Sequence, residues 1–210
     1  MWHLQRPITK LVCMAQEIYK DKLAVSAKDS NAWRKWLEKN GTKEDSVWLI
    51  IYNKDSGVPS LTYSEAVDQA ICFGWIDAVP NKRDDKSRYQ YFARRSPKSN
   101  WSRVNKQKVE RLLAEGLIAP EGLASIELAK QNGTWDALND VENLLVPIDL
   151  ASLFKKDKKA QQHFESFSRT VKRAILEWLQ SAKTDATRQK RLEQIVRMAA
   201  VGKRAQFDKE

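Results

Sequence analysis

The chain has 210 residues, 30% of them charged and 42% hydrophobic, and a mean hydropathy of −0.61. That balance belongs to a globular protein long enough to bury a core. It excludes a disordered or collagen-like chain and any run of about 20 apolar residues crossing a bilayer. Two cysteines, Cys13 and Cys72, cannot make a disulfide framework, and two histidines, His3 and His163, make no zinc set by themselves. No metal or other cofactor is therefore expected, and the expected compartment is a reducing cytoplasm.

The net charge is +10, from 37 basic and 27 acidic residues. Such an excess favours anionic partners: a small anionic molecule, an acidic protein, a nucleic acid or an anionic surface. It is unevenly placed. No acidic residue stands between Asp85 and Glu110, a stretch that holds Lys86, Arg88, Arg94, Arg95, Lys98, Arg103, Lys106 and Lys108. A merely solvated face is the plain alternative.

In chain order, residues 1–27 read as an N-terminal tail, partly disordered or non-native before Met14, where Met14-Ala15 makes a natural start. No signal-peptide pattern precedes it. Asp29-Ser30 then caps a helix whose inward residues are Trp33, Trp36 and Leu37, stopped at Asn40-Gly41. VWLIIY, residues 47–52, is a short apolar strand. Thr62 and Glu65 have capping-box spacing for a helix with Ala66, Val67, Ala70, Ile71 and Phe73 inward, ended by Gly74. Residues 75–79 and 89–93 read as two more strands across a polar loop. Everything after Ser99 has helical periodicity: 100–115, 120–132, a short helix opening at Pro147 and Asp149, then 157–167, 168–182 and 186–201. The expected fold is α+β. A small three-stranded antiparallel sheet packs with helices over 28–116, and an all-helical C-terminal half, 117–205, packs on it.

The blocks AWRKWLEKN (32–40), VWLIIYNK (47–54), YSEAVDQAICFGWID (63–77), YFARRSPKSNWSRVN (91–105) and WLQSAKTDATRQKRLEQIV (178–196), in this order, resemble the YdeI/OmpD-associated family, also called the bacteriocin-protection family. The similarity covers about residues 28–200, and FGWID together with RRSPKSNWSRVN is its most specific part. The resemblance implies a small bacterial α+β protein of bacteriocin tolerance and envelope stress, with an envelope or porin-related partner and no established reaction. The charged segment 81–87 and the first 13 residues depart from the family pattern.

The candidate site gathers at the start of the helix from Asn100. Val109, Leu112 and Leu113 define its inward stripe, and Ser102 and Asn105 fall on the same side with Trp101 at the edge. Polar groups turned inward there either bond neighbouring loops or line a pocket. Arg94, Arg95, Lys98 and Ser99 arrive just before it, so guanidinium groups and helix-end amides would suit an anion. Trp75 and Asp77 share one face of their strand. Asp77 would pair with Arg94 or Arg95, bind a ligand amine or act as a base. Trp75 and Trp101, flanked by polar and basic residues, are candidates for stacking a base. Arg188 lies in line with the inward stripe of the last helix, paired to a carboxylate, passing beyond the helix end, or leaning to the pocket. Cys72, near a helix end and off the apolar stripe, has no setting for a thiolate.

Three functions fit. An anion-binding or protein-interaction module comes first. A small enzyme using Asp77 with Arg94 and Arg95 on a phosphorylated or carboxylated substrate comes second. A nucleic-acid binder comes last, since no zinc-finger spacing, RNP motif or clear helix-turn-helix is present.

Overall fold

A computed structural model describes residues 16–209. It divides into two compact units, one of residues up to 99 with 105–132, the other of 100–104 with 133 onward.

The first unit is built on a five-stranded sheet in the order β1-β2-β3-β5-β4. Its strands are β1 (Gln16–Tyr19), β2 (Lys22–Ser26), β3 (Ser46–Tyr52), β4 (Trp75–Lys82) and β5 (Ser87–Arg94). This corrects the expectation of three. Residues 16–26, read as tail, form a hairpin, and β2 pairs in parallel with β3. That parallel step needs a crossover, and α1 (Ser30–Asn40) supplies it. Two strands of four and five residues carry too little alternation to be seen in the sequence. The other pairings are antiparallel, as expected. β4 runs on past Val79 through Pro80, with a register shift between Asp77 and Pro80. It is an edge strand, where a missing N–H is tolerated. The expectation for the residues before Gln16 lies outside the described residues.

Two helices close one face of the sheet. In α1, Asp29 caps the first turn through Ala32 N at 2.8 Å. Trp33, Trp36 and Leu37 are buried. The Trp33 ring stacks on Trp36 at 5.1 Å and leans on Phe92 at 5.5 Å, and Trp36 meets Trp75 edge-on at 6.0 Å. The capping box of α2 (Tyr63–Cys72) is present in both directions, Thr62 N to Glu65 Oε2 at 2.7 Å and Glu65 N to Thr62 Oγ1 at 3.3 Å. On the opposite face Tyr19, Trp48, Tyr89 and Tyr91 pack on one another.

α3 (Arg103–Ala114) starts three residues later than expected, and Leu113, read as inward, is 43% exposed. α4 (Pro120–Gln131) completes the first unit, although the sequence placed that helix in the second half. The start of α4 also meets the end of α2, where Ala119 N donates to Cys72 O at 2.9 Å. The thiol, read as lying off the apolar stripe, is fully buried, and burial pushes its pKa up. A helical wheel of one helix cannot show a neighbour that arrives fifty residues later.

The second unit is helical: α5 (Asn139–Glu142), α6 (Ile148–Lys156), α7 (Lys158–Ser166), α8 (Arg169–Gln180) and α9 (Asp185–Ala200). Its core joins Leu150, Phe154, Phe164, Ile175, Leu192 and Ile195, among others. Side-chain caps set the starts, Asp157 for α7, Ser168 for α8 and Thr184 for α9. The inward stripe of α9 is Leu192, Ile195 and Ala199, all buried.

Candidate functional site

A cleft of about 500 Å³ opens in the first unit at the amino end of α2. Ile51 and Tyr52 at the end of β3, the loop from Asn53 to Thr62, Tyr63 and Arg88 line it. Local hydrogen bonds fix its walls. Asn53 N donates to Lys86 O at 2.8 Å and tethers the loop to the start of β5. Ser60 Oγ accepts from Tyr52 N at 3.1 Å and donates to Leu61 O at 3.2 Å. The capping box then turns the chain into α2 and brings Tyr63 over the sheet edge.

There the Tyr63 hydroxyl donates to Asp77 Oδ2 at 2.5 Å. The ring is 42% exposed, but its polar end lies against the carboxylate. Burial first, then the hydrogen bond to Asp77 and the Asp77 charge, push the phenol up to about 12, while Arg88 acts the other way. Stability from this group is thus complete below about pH 10 and is lost as pH rises towards 12. Asp77→Asn removes the charge but not the burial. The phenol should then titrate lower, yet still above 10, in an ultraviolet difference titration against Tyr63→Phe. An unchanged Tyr63 titration would mean that the bond does not form in solution.

With Lys54 on the rim, Arg88 is one of the two cations that line the cleft. It is half-buried, its strand position opposite Ile51 is fixed by the β3–β5 ladder, and among the described residues it makes no ion pair. Asp77 accepts from Tyr63 and makes no ion pair with Arg88.

None of the residues singled out in the sequence as site residues lines this cleft, and Asp77 is tied to it only through the bond from Tyr63. Asp77 was expected to pair with Arg94 or Arg95, but its hydrogen bond comes from Tyr63. Arg94 is exposed and pairs with Asp45. Arg95 is half-buried, its Nη1 donates to Ser99 O at 3.3 Å, and burial pulls its pKa down to about 10 against the opposing influence of Asp77. Lys98 is exposed on the turn that follows. Trp75 and Trp101 were read as candidates for stacking a base. Both are buried, at 0% and 1% exposure, and neither can do so. Trp75 Nε1 donates to Gly41 O at 3.2 Å. Trp101, in the second unit, packs its ring on Trp135 at 5.1 Å. Ser102 precedes α3 and Asn105 lies in its first turn, both half-buried. Arg188 grips Asp149 with two bonds, Nε at 2.6 Å and Nη2 at 3.1 Å, which hold the Asp149 carboxyl below its usual range.

Several members of the basic block are already partnered. Arg94 is spent on Asp45, Lys108 on Asp68 and the exposed Arg103 on Asn143 Oδ1 at 2.7 Å. Tyr63, Arg88, Tyr52 and Ser60 were missed as site residues. The capping box was the one signal near them. Their convergence depends on the length of the 53–62 loop and on the irregular edge of β4, and neither is written in periodicity. Among the described residues no cluster of His, Cys, Asp or Glu is placed to hold a metal ion, and no helix is long and apolar enough to cross a membrane.

Residues 143–202 match the family described as bacteriocin-protection, YdeI or OmpD-associated. The resemblance drawn from the sequence is borne out over this bacteriocin-protection segment, which takes in α6 to α9. Residues 25–125 match a different family, described only as a domain of unknown function (DUF8412). FGWID and residues 91–105 fall in that match, outside the bacteriocin-protection segment. No curated protein and no solved structure is a significant match to the chain.

Proposed function

We propose that the chain is an anion-binding module serving bacteriocin tolerance, and that the anion, a carboxylate or phosphate, is taken at Arg88. The observation that carries the reading is the half-buried Arg88 guanidinium facing the cleft without an ion-pair partner among the described residues. A guanidinium binds planar oxyanions through two parallel hydrogen bonds. Lys54 adds a second positive charge to the rim, and Val58 and Pro59 offer an apolar wall for the body of the ligand. The setting in bacteriocin tolerance, and with it an OmpD-related partner, rests on the family description of residues 143–202. The alternative of an enzyme using Asp77 with Arg94 and Arg95 is less well supported, since Asp77 is engaged by Tyr63 and Arg94 by Asp45.

Calorimetric titration with inorganic phosphate and with benzoate tests the reading. Arg88→Ala should weaken binding by about 1.5–3 kcal/mol, the range for a charged hydrogen bond, which is more than tenfold. Arg94→Ala, at an exposed and already paired arginine, should change it less than about twofold. Equal losses from both would replace the cleft by a diffuse positive surface.

A further inference from the structure

In the second unit, α6 and α7 meet at Asp157, whose Oδ1 accepts from Ala160 N at 2.9 Å and restarts the helix after a single-residue break. The break leaves a groove of about 230 Å³ between the two helices. Its apolar lining is Val146, Ala151, Phe154 and Phe164. Val146 of the lining is 38% exposed, its sequence neighbour Leu145 is 55% exposed, and Ile148, the first residue of α6, is 87% exposed. Scattered exposed apolar residues are ordinary, but ones contiguous with an apolar groove mark an interaction site.

The charge around the groove is one-sided. Lys155 and Lys158 stand on its two sides, and Lys156 and Lys159 follow them on the same helices. All four are exposed, and among the described residues none has a carboxylate partner. The one acidic residue of the lining, Glu165, accepts from Gln161 Nε2 at 2.8 Å.

We propose that this groove docks an acidic amphipathic segment of a partner protein. The segment seats an apolar side chain over Phe154 and Phe164 and sets its carboxylates against Lys155 and Lys158. Helix-in-groove recognition uses this division of labour: apolar anchors give affinity and complementary charge gives orientation and speed. A lipid surface fits less well, because the apolar floor is concave and takes side chains, whereas interfacial insertion relies on an apolar face that projects. The site goes beyond the Arg88 cleft and stands or falls separately from it.

Selection from a phage-displayed library of random peptides, a few helical turns long, against the full chain tests the proposal. Enriched peptides should combine Asp or Glu with apolar residues at helical spacing. Their affinity should fall at least about tenfold for Lys155→Glu/Lys158→Glu and for Ala151→Trp, which fills the groove, and be unchanged for Arg88→Ala. The lysines are exposed, so the charge reversal keeps the fold even if the tryptophan variant does not. No enrichment, enrichment of basic peptides, or peptides that bind both variants as well as the parent would overturn the proposal. So would phosphatidylglycerol vesicles that bind the chain through the same lysines while no peptide is selected.

Discussion

Trp33→Ala is expected to lower the free energy of unfolding by about 3–5 kcal/mol, the range for removing a large aromatic from a core. Trp33 is fully buried between α1 and the sheet, stacked on Trp36 and leaning on Phe92. Its Nε1 donates to Ala66 O at 3.1 Å, so the ring also pins the first turns of α2. Alanine leaves a void that neighbouring indoles are too rigid to fill. Trp33→Phe keeps most of the volume and loses the bond, and should cost about 1 kcal/mol for that bond plus a modest packing loss. Urea unfolding followed by tryptophan fluorescence and by circular dichroism reads both. The consequence reaches the cleft, because Ala66 lies one turn after Tyr63. A loosened α2 start should weaken the Tyr63–Asp77 bond and anion binding together. A loss below about 1 kcal/mol for Trp33→Ala would contradict this packing scheme.

Trp33, Trp36 and Leu37 were legible because a helix repeats every 3.6 residues and its caps are local chemistry. The same holds for the capping box of α2 and for the inward stripe of α9. What could not be read depends on partners distant in the chain. β1 and β2 gain their stability from pairing, not from an alternating pattern of their own. Cys72 is buried, and the Ala119 amide that its carbonyl meets comes from 47 residues on, which only the folded chain brings there. Arg94 was singled out and Arg88 passed over in the same basic stretch, although what separates Arg94 and Arg103 from Arg88 is that a carboxylate or amide partner faces each of them. Only Asp45 and Asn143, far off in sequence, decide that. A site made from a loop, a helix start and a strand edge is for the same reason invisible to periodicity.

The two family matches agree with this division. Residues 143–202 lie in the unit that carries the lysine-rimmed groove, and residues 25–125 lie almost wholly in the unit that carries the cleft. The proposed anion binding by one unit and the proposed peptide docking by the other are carried by different residues, and variants at Arg88 and at Lys155 with Lys158 are expected to separate them.

Gly122→Ala is expected to destabilise the chain by about 1–3 kcal/mol, the usual cost of overpacking, although alanine is the better helix former by about 1 kcal/mol. Gly122 lies in the first turn of α4, where the helix crosses the end of α2. A Cβ there would stand 2.3 Å from Cys72 O, 2.8 Å from the Cys72 carbonyl carbon and 2.8 Å from Ile118 Cγ2. The Cys72 carbonyl cannot simply retreat. It accepts from Ala119 N at 2.9 Å, and the turn that follows it is set by Gly74 at φ +71°. Gly74 is itself hemmed in, since a Cβ on it would meet Glu121 O at 3.0 Å. Relief must therefore come from sliding α4 along α2, which opens the packing over Cys72. Gly57→Ala is the contrasting variant: no atom lies within 4 Å of its would-be Cβ, and only its φ of +73° opposes the change. It should cost about 1–2 kcal/mol from backbone strain alone and leave Cys72 as slow to react with a thiol reagent as before. Gly122→Ala should speed that reaction as well as lower the melting temperature. A variant that melts higher, with Cys72 still protected, would show that α4 does not press on the end of α2.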